Sequence, residues 1–243
     1  MTAATAVGAP AIEIENLTTG YGGVSAVRGI DLVVHPGEMV ALVGPNGSGK
    51  STTLLAISGL LRPFTGSMEV RGQPPNGRRP HVTARRGLAH VAESRCVFPH
   101  LTVTENLKLG RSRSKADVTD AFRYFPALQP LASRRAGLLS GGEQQMMVIA
   151  RALLARPDVL MVDEMSLGLA PMIAESVLHT LRDITKETGL ALLLVEQHID
   201  IALAICDRGY VLSHGEMTAE GPCSELARRR DLIEASYLGE SAG

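Results

Sequence analysis

Gly44-Pro45-Asn46-Gly47-Ser48-Gly49-Lys50-Ser51-Thr52 is the stretch whose reading decides the fold. It fills the pattern G-x-x-x-x-G-K-[ST] at every fixed position. Before it, Glu38 to Val43 reads as a short apolar strand. After it, Thr53 to Ser58 reads as a helix that stops at Gly59, a residue suited to a helix C-terminus. Strand, glycine loop and helix in that order build an anion cradle. Glycines at 44, 47 and 49 let the backbone curl until its N–H groups converge on phosphate oxygens, a path a Cβ would obstruct. Lys50 is placed to reach the terminal phosphates and Ser51 to offer a hydroxyl to Mg²⁺, while the helix start presents its positive end.

Working outward, Ile12–Leu17 alternates like a strand and Ile30–Val34 is a second β-branched run, followed by a turn at His35-Pro36-Gly37. Gly66–Arg71 and Gly87–Val91 read as further strands. Val159–Val162 and Leu190–Val195 are unbroken apolar runs, which suit strands covered on both faces. Ile173–Thr188 between them has helical spacing, and Tyr210–Ala219 folds back at His214-Gly215 as a hairpin. Val103–Leu139, interrupted by Pro126, Pro130 and Arg134-Arg135, reads as a helical insertion. Residues 1–10 read as a soft tail and 11–243 as one α/β domain.

Composition narrows the function classes. The chain has 243 residues, 45% of them hydrophobic, enough for a real core and against a disordered product. Lys and Arg number 24 against 25 Asp and Glu, so the basic excess of a nucleic-acid binder is missing. The arginine groups at 78–79, 85–86 and 228–230 read as solvated faces. Cys96, Cys206 and Cys223 form no C-x-x-C pair and read as inert thiols rather than a disulfide or zinc framework. Apolar runs such as Leu190–Val195 fall short of the ~20 residues a spanning helix needs.

Two further stretches carry chemistry. Val159-Leu160-Met161-Val162-Asp163-Glu164 ends an apolar strand in two acids: Asp163 to organise the shell of a Mg²⁺, Glu164 to polarise an attacking water. Leu139 to Leu154 opens with Ser140 and Glu143 in the spacing of a capping box, so a helix should begin there with Met146, Ile149, Ala150 and Leu153 inward. Gly141 and Gly142 inside that box weaken a helix unless backbone must approach something closely. A glycine-lined helix start is a second phosphate-binding device, and it needs a phosphate from elsewhere.

These three motifs, in this order, resemble the ATP-binding-cassette ATPases, and Leu139-Ser140-Gly141-Gly142-Glu143-Gln144-Gln145 is specific to that family. The resemblance runs from Ala11 to Gly239. It implies a P-loop cassette with a RecA-like core, an N-terminal antiparallel β subdomain and an inserted α-helical subdomain at about residues 99–155. It also implies ATP and Mg²⁺ as ligands, and two cassettes closing head to tail so that Ser140, Gly141, Gly142 and Glu143 of one meet the nucleotide of the other. Tyr21 matches the adenine-stacking aromatic, and Glu93, with Ser51 and Asp163, the metal-binding set. The segment from Glu93 through Phe98-Pro99 to Asn106 looks like the loop that senses γ-phosphate and touches a membrane subunit. The passage from Asp163 to Pro171, Val195-Glu196-Gln197, Asp207–Leu212 and Tyr237-Leu238-Gly239 are similar to the shorter ATPase of branched-chain amino-acid importers, whose relatives move urea or short amides. The implied partners are a second cassette, two permeases and an extracytoplasmic solute-binding protein, with no nucleic acid. The implied place is the cytoplasmic face of the membrane.

Three positions depart from the general cassette pattern. Glu93 stands where glutamine is usual, Met165 replaces a common proline, and Gln197 occupies the place of the switch histidine, with His198 one residue later at an expected helix start. Gln197 can still donate to a phosphate, and both it and His198 stand as catalytic candidates beside Glu164 and Glu93. A non-hydrolysing regulatory cassette is the competing reading. A DNA-repair or translation cassette is disfavoured because coiled-coil arms, zinc modules and a tandem cassette are missing, and a GTPase because no NKxD-type motif is present.

Overall fold

The computed structural model describes residues 8–111, 116–230 and 233. Residues 1–7 of the expected tail and the Tyr237-Leu238-Gly239 motif lie outside the described residues. Two sheets organise the rest. Strands β1 (Ile12–Tyr21), β2 (Val24–Val34) and β4 (Pro63–Val70) form a three-stranded antiparallel sheet in the order β2-β1-β4. Strands β3 (Met39–Val43), β5 (Leu88–Val91), β6 (Val159–Asp163), β7 (Ala191–Glu196), β8 (Arg208–Ser213) and β9 (Glu216–Pro222) form a six-stranded sheet in the order β5-β6-β7-β3-β8-β9. It is parallel except for β9, which pairs antiparallel with β8 through the expected turn at His214 (φ +50°) and Gly215 (φ +82°).

The unbroken apolar runs have the cause expected of them, because the large sheet is covered on both faces. On β3, Met39, Ala41 and Val43 enter one core, and Val40 and Leu42 enter the other. On β7, Leu192 and Leu194 face the first, Leu193 and Val195 the second. The second core is closed by the antiparallel sheet and by α1 (Lys50–Ile57). The first is closed by α3 (Val103–Lys108), α4 (Val118–Tyr124), α5 (Gly141–Leu153), α6 (Pro171–Thr188) and α7 (Ile199–Ile205). Short α2 (Pro80–Arg85) and α8 (Cys223–Arg228) complete the described helices. None of these is long and apolar enough to cross a membrane.

The insertion is helical as read, but in short pieces. Pro126 opens a 3₁₀ turn at Pro126–Leu131 and a second covers Ala136–Leu138. The inward face of α5 takes in the expected Ile149, Ala150 and Leu153, with Met146 half-buried against the same core, and extends further to buried Gln145, Met147 and Val148. Because α5 packs against α3, α4, β5 and α6 at once, its buried arc is wider than a single stripe. Of the thiols, Cys206 and Cys223 are buried and Cys96 is exposed.

Candidate functional site

Parallel strands deliver their carboxyl ends side by side, and the site lies there. Val43 is in register with Glu196, and Asp163 with Val195. β5 ends at Val91, level with Val162, two residues before Glu93.

The loop from Gly44 joins β3 to α1. Gly47 (φ +79°) and Gly49 (φ +107°) take backbone conformations that L side chains rarely adopt. At Gly49 space is also forbidding, since a Cβ would meet Val27 Cγ2 at 2.7 Å and Ala26 O at 2.9 Å. Lys50, 4% exposed, folds back so that Nζ donates to Gly44 O (2.8 Å) and Pro45 O (3.0 Å) and lies 4.0 Å from Glu164 Oε1. Burial lowers its pKa, and Glu164, Asp163, Glu196 and Glu93 oppose that. A cleft of about 390 Å³ opens over this loop, lined by Asn46, Gly47, Gly49, Lys50, Ser51 and Thr52 and closed by Ala26, Glu93 and Glu164. A larger cleft of about 660 Å³ between Gly59 and Arg86 contains none of these groups, so size alone does not locate the chemistry.

Asp163 ends β6 with its carboxylate buried. Burial pushes its pKa up to about 6, against a hydrogen bond from the Ser51 hydroxyl. Its Oδ1 has no partner, and neither has Ser48 Oγ in the loop. Unpartnered buried oxygens of this kind are costly unless something absent from the chain satisfies them. Ser51, Asp163 and Glu93 offer oxygen donors only, the set a hard cation such as Mg²⁺ takes, so these residues fit the metal.

Glu164 stands in the left-handed region (φ +44°), held by its N–H donating to Val195 O at 2.9 Å. That conformation is costly for a residue with a Cβ, and it turns the carboxylate toward Lys50. The loop that follows is gripped from β7. Glu196, 1% exposed, accepts from Ser166 N (2.9 Å) and Ser166 Oγ (2.7 Å), while burial raises its pKa. Sequence reading did not assign Glu196 a role, although an acid closing the apolar run Leu190–Val195 was the available signal. Gln197 and His198 follow it and are exposed. His198 is the N-cap of α7 as expected, without a side-chain cap bond. Neither lines the cleft.

Tyr21 ends β1 at a two-residue turn of Gly22 (φ +57°) and Gly23 (φ +85°), facing Val24 across the hairpin, and is 54% exposed. Its hairpin partner strand β2 supplies Ala26 to the cleft. The helix α5 begins as expected. Ser140 N donates to Glu143 Oε2 (2.7 Å) and Glu143 N to Ser140 Oγ (3.4 Å). Ser140 is exposed, and Ser140, Gly141, Gly142 and Glu143 do not line the cleft of their own chain. The glycines are close-packed. A Cβ on Gly142 would meet Ile173 Cγ2 at 3.0 Å, and one on Gly141 would meet Arg95 Nη1 at 3.0 Å.

The loop after Glu93 is braced by Asn106, which is buried. Its Oδ1 accepts from Phe98 N (3.1 Å) and its Nδ2 donates to Phe98 O and Thr102 O (both 3.0 Å). Phe98, 50% exposed, stands beside Pro99, whose carbonyl accepts from Gly137 N at 3.0 Å. Exposed Leu138 follows Gly137, so each of the two joined segments carries an exposed apolar side chain.

Comparison with known proteins gives the same direction. The family described as ABC transporter matches residues 27–166. The chain is 36% identical over 233 residues to the high-affinity branched-chain amino acid transport ATP-binding protein BraG of Pseudomonas aeruginosa, covering 94% of this chain and 99% of that one. It is 37% identical over 215 residues to the probable branched-chain amino acid transport ATP-binding protein LivF of Archaeoglobus fulgidus, covering 86% and 91%. Among solved structures it is similar to the dimeric structure of MJ0796, a bacterial ABC transporter cassette, with TM-score 0.78 at 26% identity over 87% of this chain and 98% of that one.

Proposed function

The chain belongs to the ABC transporter family of ATP-hydrolysing cassettes, and on that premise we propose that it powers the import of branched-chain amino acids. The observation that carries the solute is likeness along almost the whole chain to a branched-chain amino acid transport ATP-binding protein. Of the roles that follow, those of Lys50, Ser51, Glu93 and Glu164 are supported by their place around the cleft.

ATP lies with its triphosphate on the loop from Gly44 to Thr52 and its adenine against Tyr21. Lys50 exchanges the carbonyls of Gly44 and Pro45 for phosphate oxygens, which carry the formal charge those carbonyls lack. Ser51, Asp163 and Glu93 would hold Mg²⁺, which would supply positive charge to offset that of the phosphates. Glu164, fixed by its strained backbone, takes the proton of the attacking water. Gln197 donates its amide to the departing phosphate, with His198 beside it. Ser140, Gly141, Gly142 and Glu143 complete the pocket of a second cassette, which explains a glycine-lined helix start remote from its own cleft. The exposed side chains of Phe98 and Leu138 dock on a permease, two of which, with an extracytoplasmic solute-binding protein, make up the importer. The chain then works at the cytoplasmic face of the membrane.

Glu164→Gln tests the reading. Turnover is expected to vanish while ATP stays bound, and cells carrying the variant should lose uptake of labelled leucine, isoleucine and valine. Hydrolysis at the parental rate removes Glu164 from its role. Hydrolysis lost with amino-acid uptake intact, and urea or short-amide uptake lost instead, reassigns the solute.

A further inference from the structure

Arg95 has no part in the roles above, yet it stands where three of them meet. It follows Glu93 by two residues, in a turn where Arg95 (φ +58°) and Cys96 (φ +46°) both take the left-handed conformation. A pair of non-glycine residues there needs outside support. The support comes from Arg95 N donating to Ala92 O (2.9 Å) and from Arg151 of α5, which donates to Cys96 O (2.9 Å) and lies over the Phe98 ring. The turn sends the Arg95 side chain away from the cleft. Its Nη2 donates to Leu167 O at 2.7 Å, in the loop that follows Glu164, and its Nη1 packs against Gly141, 3.0 Å from where a Cβ on that residue would stand. Among the described residues no carboxylate pairs with this guanidinium. Its Nη2 is turned to backbone instead. The same loop is held from the other side by Glu196 through Ser166.

We propose that Arg95 is a positioning residue that ties the start of α5 and the loop 165–170 to the Glu93 turn, so that filling of the chain's own cleft sets where Ser140 is offered to the second cassette. Glu93 lines the cleft, Arg95 is two residues further along the chain, and its guanidinium bonds to the loop at Leu167 and packs against Gly141 at the start of α5. A planar fork can hold two such elements at once, whereas an ammonium acts as a single point. The inference rests on the proposed reading of the chain as a hydrolysing cassette, with Glu164 at the water, that closes on a second one.

The test uses the transporter purified through a tag on this chain, carrying Arg95→Met, Arg95→Lys or Glu164→Gln. Each form is assayed for ATP turnover, and each full-length chain alone for binding of a fluorescent ATP analogue. Arg95→Met, which keeps the apolar stem, should lower kcat about fivefold or more, the lower end of site–site coupling, with ATP affinity of the isolated chain unchanged. Arg95→Lys should recover part of that loss by donating to Leu167 O alone. An unchanged kcat in Arg95→Met, or a fall in kcat matched by an equal fall in ATP affinity, overturns the inference. Glu164→Gln separates the two levels. If it abolishes turnover while Arg95→Met does nothing, only the role of Arg95 fails. If Glu164→Gln turns over normally, the reading beneath it fails.

Discussion

His90 sits in β5 with Nδ1 2.9 Å from Ser58 Oγ at the end of α1, while its Nε2 is buried without a partner. Burial lowers the pKa of the imidazole below its ordinary 6.5. The unfolded chain therefore takes up the proton at a higher pH than the folded one does. The neutral ring favours the folded state above 6.5, and that advantage is lost as pH falls from 6.5 through the folded pKa. Asp163, with its pKa pushed up to about 6, and Glu196, also raised, run the other way: the folded state binds their protons first and gains as pH falls. Acid therefore acts on the two kinds of group in opposite senses, and the whole-protein curve mixes them. His90→Gln isolates one. Urea midpoints measured from pH 7.5 down to 5 should show the parent losing stability relative to the variant, with the gap opening below 6.5. Parallel curves would mean that His90 titrates alike in both states.

At the scale of elements, Ser140 combines two duties that substitution can part. As N-cap of α5 it closes a reciprocal box with Glu143. Asparagine caps about as well as serine, whereas alanine costs about 1 kcal/mol. Ser140→Asn should keep thermal stability while Ser140→Ala lowers it, and both should depress turnover of the assembled transporter if the hydroxyl serves a partner's phosphate. Full turnover in Ser140→Asn would leave only the cap. This helix start was legible in the sequence because its spacing is local. So was the unit from Glu38 to Gly59, where strand, loop and helix follow without interruption, and so were the strands whose apolar runs reflect two covered faces. What stayed hidden joins residues far apart in the chain. Glu196 meets Ser166 across 30 positions and Arg95 meets Leu167 across 72, contacts that exist only once β5, β6 and β7 lie side by side. The arc of α5 is wider than the expected stripe for a related reason, because several elements pack on it and the pattern of one helix cannot show its neighbours.

Across the whole molecule the two proposed phosphate-binding devices point to different places. Lys50 and Glu164 close on one cleft, while Ser140, Gly141 and Gly142 are absent from its lining. Around that second device the surface is apolar. Ile173, packed on Gly142, is 39% exposed, Leu167 is 48% exposed and Met172 is 81% exposed. Large apolar side chains clustered beside a helix start are the mark of a surface that another protein covers. The two sheets themselves are firmly joined, since the Tyr210 hydroxyl on β8 accepts from Val33 N on β2 at 3.1 Å and Arg208 bridges to Glu38 at 3.1 Å. Such a frame keeps the start of α5 out of its own cleft, and on the proposed reading a partner supplies it. The expected outcome is that the isolated full-length chain, diluted until sedimentation shows monomer alone, binds ATP and releases no phosphate above background. Raising its concentration, or adding the second cassette, should restore turnover with a rate that climbs faster than linearly before it saturates, as a two-body step requires. A monomer that turns over as fast as the assembled transporter would place every necessary group on one chain, and the exposed start of α5 would then be no more than a capped helix.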